Sequence, residues 1–118
     1  MQKLPLPNLH DAAIENFTYV PDSARLIISV SKYAINNEPA VNIELVFSGI
    51  KNAKEVIHFD QCIQNILRKE RRYNVGFRID NLNHCDLLPS EEGLCFALNI
   101  DHLSSLRINC KKVSVREI

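Results

Sequence analysis

The stretch VNIELVFS, residues 41–48, decides the fold of this chain. Its odd-numbered positions are apolar and its even-numbered positions are mostly polar, so hydrophobicity repeats every two residues. Successive side chains of a β-strand point to opposite faces, and this alternation is typical of a strand with one face on a core and the other in water. The same period recurs in residues 75–79, 94–100 and 106–110. The chain is therefore predicted to be built on antiparallel sheet.

Turn residues and a change of phase organise the remaining strands. Pro21-Asp22-Ser23 is predicted to be a turn, because proline presets φ and the polar side chains bond nearby backbone, and it joins two strands as a hairpin. The inward phase slips between Cys110 and Val113, which predicts a β-bulge at Lys111-Lys112. The predicted strands are 14–20, 25–31, 41–48, 54–59 (paired back against 41–48), 75–80 (extending toward 87, with an interruption near 81–83), 94–100 and 106–115.

One helix is predicted where the hydrophobic period changes. Residues 60–70 carry apolar side chains at helical spacing. Asp60 is a suitable N-cap, and Arg68 and Lys69 suit the negative end of the helix dipole. The predicted class is mainly β (or α+β): a rolled or sandwiched antiparallel sheet of about seven or eight short strands with one short helix near 60–70. At 118 residues, the chain is predicted to be a single domain, 1–118.

Charge and composition argue against several classes of partner. Fourteen basic residues balance fourteen acidic residues, so the chain lacks the basic excess that binds phosphate backbones, and neither nucleic acid nor a membrane is expected as a partner. Near-zero net charge favours self-association near neutral pH. No apolar run suits a signal peptide or a membrane span, so a cytoplasmic location is expected. The four cysteines are then expected to be reduced and mostly buried: Cys62, Cys85, Cys95 and Cys110.

Three groups of side chains are candidates for chemistry. His10 beside Asp11 could orient a base, but neighbours in an extended segment point in opposite directions, so one of them is expected to bond backbone. His84-Cys85-Asp86 carries metal-binding side chains without the spaced ligand pairs of zinc sites. Cys62 follows His58 by four residues, yet it falls on the predicted apolar face of the helix, where a thiol is inert packing.

No familiar catalytic motif is present. The sequence has no nucleophile elbow, P-loop, dinucleotide-binding glycine pattern or zinc-peptidase motif. We therefore assign no catalytic, cofactor-binding or metal-binding residue, expect no cofactor, and favour a protein that is not an enzyme. His10, Asp11, His58 and His84 remain polar candidates of low weight.

The main cluster of charge is the basic segment, Arg68-Lys69-Glu70-Arg71-Arg72 with Tyr73 beside it. Such a cluster either binds an acidic protein surface or is a solvated helix end. On the first interpretation the residues that contact the partner are Arg68, Lys69, Arg71, Arg72 and Tyr73.

Three motifs resemble those of small β-rich bacterial proteins of the toxin-immunity type. They are the "LHDA" opening at residues 9–12, the strand IELVFSGI at residues 43–50, which resembles the family's form L-x-F-x-G-V with Ile50 in the last place, and the segment 59–67 that ends in Asn65-Ile66-Leu67. The resemblance implies a cytosolic binding protein that neutralises a toxin by occupying it. It supplies no catalytic residue, and it makes His10 and Asp11 framework residues.

Two hypotheses about function follow. The first is a non-enzymatic, cytosolic protein-binding domain, in the special case an immunity-type inhibitor of a toxin, for which another protein is the expected partner. The second is a small-molecule-binding or hydrolytic β domain with a pocket inside a curved sheet, where His58, His84 and His102 would be the polar groups.

Overall fold

The computed structural model describes residues 9–32, 41–70, 78–101 and 103–117, and for residues 66–70 the backbone alone. The prediction of a mainly β fold is confirmed, because these ranges form seven strands in two antiparallel sheets together with one helix. The elements are β1 (Ala13–Val20), β2 (Arg25–Lys32), β3 (Val41–Ser48), α1 (Ala53–Glu70), β4 (Ile79–His84), β5 (Leu94–Ile100), β6 (Leu106–Cys110) and β7 (Lys112–Glu117). Strand order is β1-β2-β3-β7 in the first sheet and β4-β5-β6 in the second.

The two sheets are joined at both ends, so together they form a roll. At one end Lys111 alone separates β6 from β7, and its N–H donates to the carbonyl of Ser48 at 2.9 Å. At the other end the N–H of Asp11 donates to Ile79, and the N–H of Ile79 donates to Ala12, at 2.8 and 2.9 Å. The predicted strand 106–115 with a bulge at Lys111-Lys112 is therefore two strands, because the chain changes sheets at that point.

A single hydrophobic core is shared by both sheets and the helix. The inward residues of β3, Ile43, Leu45 and Phe47, are buried, as their alternation predicts. The ring of Phe47 meets that of Phe96 edge-on across the two sheets, with centroids 5.4 Å apart. Helix α1 packs against β1 and β6.

Helix α1 begins seven residues earlier than predicted, at Ala53, so the predicted strand at 54–59 is wrong. Val56, Phe59 and Ile63 are buried at helical spacing, while Ile57 is 37% exposed. The first helical hydrogen bond runs from the N–H of Val56 to the carbonyl of Asn52 at 3.3 Å. Asp60 consequently lies inside the helix instead of capping it.

Strand β4 is continuous through Asn81–Asn83, so the predicted interruption there is wrong. Along this strand Ile79 and Leu82 are buried while Asn81 and Asn83 are exposed, with a register irregularity between Ile79 and Asn81. The exposed amides bond one another, with Asn83 Nδ2 donating to Asn81 Oδ1 at 3.1 Å. Polar residues therefore occupy the outer face of this strand. The start of the predicted strand 75–80 lies in residues 71–77, which are outside the described residues.

Candidate functional site

Two adjacent exposed leucines mark the connection between β4 and β5, residues 85–93, which we call the leucine loop. Leu87 is 40% exposed and Leu88 is 57% exposed. The other large apolar side chains of comparable exposure in the described ranges are Ile57 and Val115, which stand far apart in sequence. Covering these two side chains would remove apolar area from water, which stabilises a complex.

A disulfide closes the base of the leucine loop. Cys85 is bonded to Cys95, with Cα atoms 5.3 Å apart, and the N–H of Cys85 donates to the carbonyl of Cys95 at 2.9 Å. The prediction that the cysteines are reduced is therefore wrong for this pair. The pairing arises because β4 and β5 are neighbouring antiparallel strands whose register sets His84 opposite Phe96.

An ion pair holds the centre of the leucine loop. Arg107, on β6, binds Glu91 through two parallel hydrogen bonds, of which Nη1 to Oε2 measures 2.6 Å. Glu91 Oε1 also accepts the N–H of Leu88 at 2.7 Å, and the N–H of Glu91 donates to the carbonyl of Leu88 at 2.9 Å. The hydrogen bond from Arg107, helped by that from Leu88, lowers the pKa of Glu91 to about 2. The carboxylate is thus ionised at all ordinary pH values.

The end of the leucine loop is fixed to β6 and to the start of α1. Asn109, a polar side chain that is only 3% exposed, donates from Nδ2 to the carbonyls of Glu92 and Leu94 at 3.2 and 3.0 Å. Lys51 Nζ donates to the same Glu92 carbonyl at 3.1 Å. Gly93 has φ +90°, and a Cβ there would lie 2.5 Å from the carbonyl oxygen of Cys110. Only glycine therefore fits this close approach.

Asn52 supports these contacts by closing the outer edge of β6. Its Nδ2 donates to the carbonyl of Arg107 at 2.5 Å, and its Oδ1 accepts the N–H of Asn109 at 2.9 Å. The N–H of Lys51 donates to the carbonyl of Asn109 at 2.7 Å. The segment before α1 thus takes the place of a neighbouring strand, and it sets the backbone that carries Arg107 and Asn109.

The arrangement suits binding. Covalent, ionic and amide contacts fix the backbone on both sides of Leu87 and Leu88, so little conformational entropy is lost when a partner covers these side chains. Asp86 and Glu92 are exposed residues of the same loop, so acidic groups flank the two leucines in sequence. An apolar centre with a polar border is the usual composition of a protein interface.

The predicted pair His10 and Asp11 comes together at the surface. Asp11 has φ +65°, so the segment turns there, and the expectation that the two side chains point apart is wrong. His10 Nε2 lies 3.5 Å from Asp11 Oδ2, and His10 Nδ1 lies 2.9 Å from the carbonyl of Asp80. The hydrogen bond to Asp80, with a smaller contribution from the Asp11 charge, raises the pKa of His10. Both side chains are about two-thirds exposed, at 64% and 65%.

The remaining polar candidates have separate surroundings. Cys62 is exposed instead of packed on the apolar face of α1 as predicted, and its Sγ lies 3.8 Å from His58 Nε2. The His84 ring contacts that of Phe96 on β5, with centroids 4.9 Å apart. Within the described ranges, no three His, Cys, Asp or Glu side chains are grouped to hold a metal ion.

The side chains of the predicted partner-contact residues lie outside the described part of the structure. Arg71, Arg72 and Tyr73 are outside the described residues, as is His102. For Arg68 and Lys69 the structure gives the backbone of the last turn of α1 and no side-chain position. The basic segment therefore remains a prediction.

Comparison with known proteins finds no protein family, no curated protein and no solved structure that matches the chain. In the described part of the chain, no helix has both the length and the apolar character that a membrane span requires.

The sequence prediction did not single out the leucine loop. A signal was present, since LLPSEEG at residues 87–93 places two leucines directly before a turn. Apolar side chains next to turn residues can lie at the surface, because connecting segments run over the surface of a protein. Arg107, Asn109 and Asn52 carry no comparable signal, because their contacts come from elements distant in sequence.

Proposed function

We propose that the protein is a non-enzymatic protein-binding domain and that the leucine loop is its docking surface. The observation that carries the proposal is the rigid presentation of Leu87 and Leu88 at 40% and 57% exposure. Fixing a loop so firmly stabilises a single conformation of its tip, which lowers the entropy lost on binding. The expected partner offers an apolar pocket with a basic border that complements Asp86 and Glu92.

The resemblance to immunity-type proteins supports a toxin as that partner and the cytoplasm as the location. The basic segment is a second predicted contact, of opposite charge to the leucine loop. Charge reversal at Arg71 and Arg72 is expected to weaken the complex if that segment contributes. The leucine loop and the basic segment can thus be tested in the same experiment.

The alternative, a pocket inside the curved sheet, has less support. An open depression of about 440 Å³ lies at the start of α1, lined by residues 51–55. Its lining includes neither His58 nor His84. The two histidines sit on α1 and β4, against Cys62 and Phe96 respectively.

Affinity capture with a panel of variants tests the proposal. Wild type is compared with the double substitution L87S/L88S, with R71E/R72E, and with I57S, which alters an exposed apolar side chain outside the loop. A partner should be captured in stoichiometric amount by wild type and I57S and lost with L87S/L88S. Reconstitution from the two purified proteins, followed by calorimetry, must reproduce that loss. A partner that binds L87S/L88S as tightly as wild type contradicts the role of the loop.

A further inference from the structure

The disulfide and the leucine loop together suggest a form of control. We propose that Cys85–Cys95 is a reversible redox latch that fixes the first half of the leucine loop, residues 85–87. Reduction releases this half and removes the fixed presentation of Leu87, the leucine on the disulfide side of the pair. The consequence for docking rests on the function proposed above, whereas the change in loop order does not.

The two halves of the leucine loop are held by different chemistry. The second half is held by noncovalent contacts from Arg107, Asn109 and Lys51 to Glu91 and Glu92. Residues 85–87 are held by the disulfide, by the Cys85–Cys95 backbone hydrogen bond, and by a long 3.4 Å contact from Arg107 Nη2 to the carbonyl of Asp86. Leu88, in contrast, is held by Glu91, whose Oε1 accepts its N–H at 2.7 Å and whose N–H donates to its carbonyl at 2.9 Å. Breaking the disulfide therefore removes the covalent cross-link that restrains residues 85–87, while Leu88 keeps its bonds to Glu91.

The disulfide is also the anchor that ordinary cell chemistry can break. The pKa of Glu91 is about 2, so no physiological change of pH neutralises its pair with Arg107. A disulfide, in contrast, responds to the thiol poise of its compartment. In a cytoplasmic protein, disulfides are usually transient or redox-sensing.

Exposure decides which sulfur reacts. Cys85 is partly exposed on the loop, whereas Cys95 is 3% exposed on β5. Cys110 is fully buried, and burial raises its pKa to about 11, so its thiol stays protonated and does not exchange with the pair. The free, exposed Cys62 lies on α1 and is not part of the loop or strand that carries the disulfide. An external thiol therefore attacks at Cys85.

The reaction balances with a thiol reductant. A reductant thiolate attacks Sγ of Cys85, the Cys85–Cys95 bond breaks, and Cys95 leaves as a thiolate that takes a proton. A second reductant thiolate then attacks the reductant sulfur of the mixed disulfide, and Cys85 leaves and is protonated. Two electrons and two protons pass to the protein, and two reductant thiols become one disulfide.

The core does not depend on the latch. Phe47 and Phe96 pack between the sheets, and β5 pairs with β6 through Cys95 opposite Asn109. Cys95 thus stays in its strand when its partner sulfur leaves. Reduction is expected to loosen the loop and to leave the fold intact.

Hydrogen exchange with and without dithiothreitol tests the latch. A C62S background removes the exposed thiol, and alkylation of the denatured protein then reports whether Cys85 and Cys95 are bonded. Amides of residues 85–87 should exchange about tenfold faster, or more, after reduction, because the loop-closure constraint is lost. Amides of residues 41–48 should be unchanged. The variant C85A/C95A, in the same background, should reproduce the reduced protein without added thiol.

Four results overturn the latch. Exchange at residues 85–87 that does not change on reduction shows that the noncovalent contacts alone fix the loop. Faster exchange at residues 41–48, or a C85A/C95A protein that does not fold, shows a structural staple. Free thiols at Cys85 and Cys95 after treatment with oxidised glutathione show that the bond does not form. None of these readouts uses a partner, so the latch and the docking surface succeed or fail separately.

Discussion

Replacing Asn52 with alanine should lower the free energy of unfolding by about 2.5 kcal/mol. The substitution removes the bonds to the carbonyl of Arg107 and from the N–H of Asn109, at 2.5 and 2.9 Å. Asn109 is 3% exposed, so its N–H has no access to water and its isolation costs about 1–3 kcal/mol. The half-buried Arg107 carbonyl can accept a water molecule, and its loss is about 0.5 kcal/mol.

Urea denaturation followed by circular dichroism measures this loss of unfolding free energy. In a separate thermal melt, the melting temperature should fall by about 10 °C for a domain of this size. Asn16 provides a matched control, because its side chain accepts one exposed bond, from Thr18 Oγ1 at 2.9 Å. N16A should change stability by less than about 0.5 kcal/mol. If N52A lies as close to wild type as N16A, the closure of the β6 edge by Asn52 is not what stabilises that strand.

Three further predictions concern the core, the ion pair and the surface histidine. Phe47 is fully buried, so F47A should lower the unfolding free energy by about 4 kcal/mol. The pKa of Glu91 falls from 4.5 to about 2 on folding, so its pair with Arg107 stabilises fully above about pH 4.5 and is lost as the pH drops toward 2; E91Q should remove that dependence. The pKa of His10 is raised above 6.5, so its contribution is full below pH 6.5 and is lost as the pH rises through the folded value; D11N should bring the pKa down.

Each of these has a direct check. Urea titration reports F47A, and a loss below about 1 kcal/mol would contradict a tightly packed core. Thermal melts between pH 2 and 5 measure the effect of E91Q. If wild type and variant show the same dependence of melting temperature on pH, the ion pair does not stabilise the fold. NMR titration measures the pKa of His10, and an unchanged pKa in D11N would contradict a contribution from Asp11 and leave Asp80, through its carbonyl and its charge, as the cause.

Strand positions were predictable where alternation is clean. Residues 41–48 and 94–100 are strands with the predicted bounds, because each buries its alternating apolar residues; in the second strand Cys95 is buried as well. Residues 54–59 were misread since Ile57 and Phe59 also alternate. The side chains that reach the core are Val56 and Phe59, three apart, and Ile57 stays exposed. The exposed Ile57 thus gave the first turns of α1 the alternation that is typical of a strand.

Features that depend on the meeting of distant segments were not predictable. Four cysteines allow several pairings, and the choice of Cys85 with Cys95 depends on the register of β4 against β5. The phase slip near Lys111 was visible, but a bulge and a change of sheet produce the same slip in the sequence. The anchoring of Glu91 by Arg107 joins a loop to a strand sixteen residues later.

Photo-crosslinking from position 88 tests the central claim most directly. Leu88 is replaced with a benzophenone amino acid, and the same substitution at Ile57 serves as the control on an exposed apolar position elsewhere. If the leucine loop is the docking surface, irradiation in native extract yields one dominant protein adduct from position 88 that is weak or absent from position 57. Excess unlabelled wild type competes it away, and excess L87S/L88S does not. Equal labelling from both positions, or an adduct that L87S/L88S displaces as well as wild type, would contradict the account.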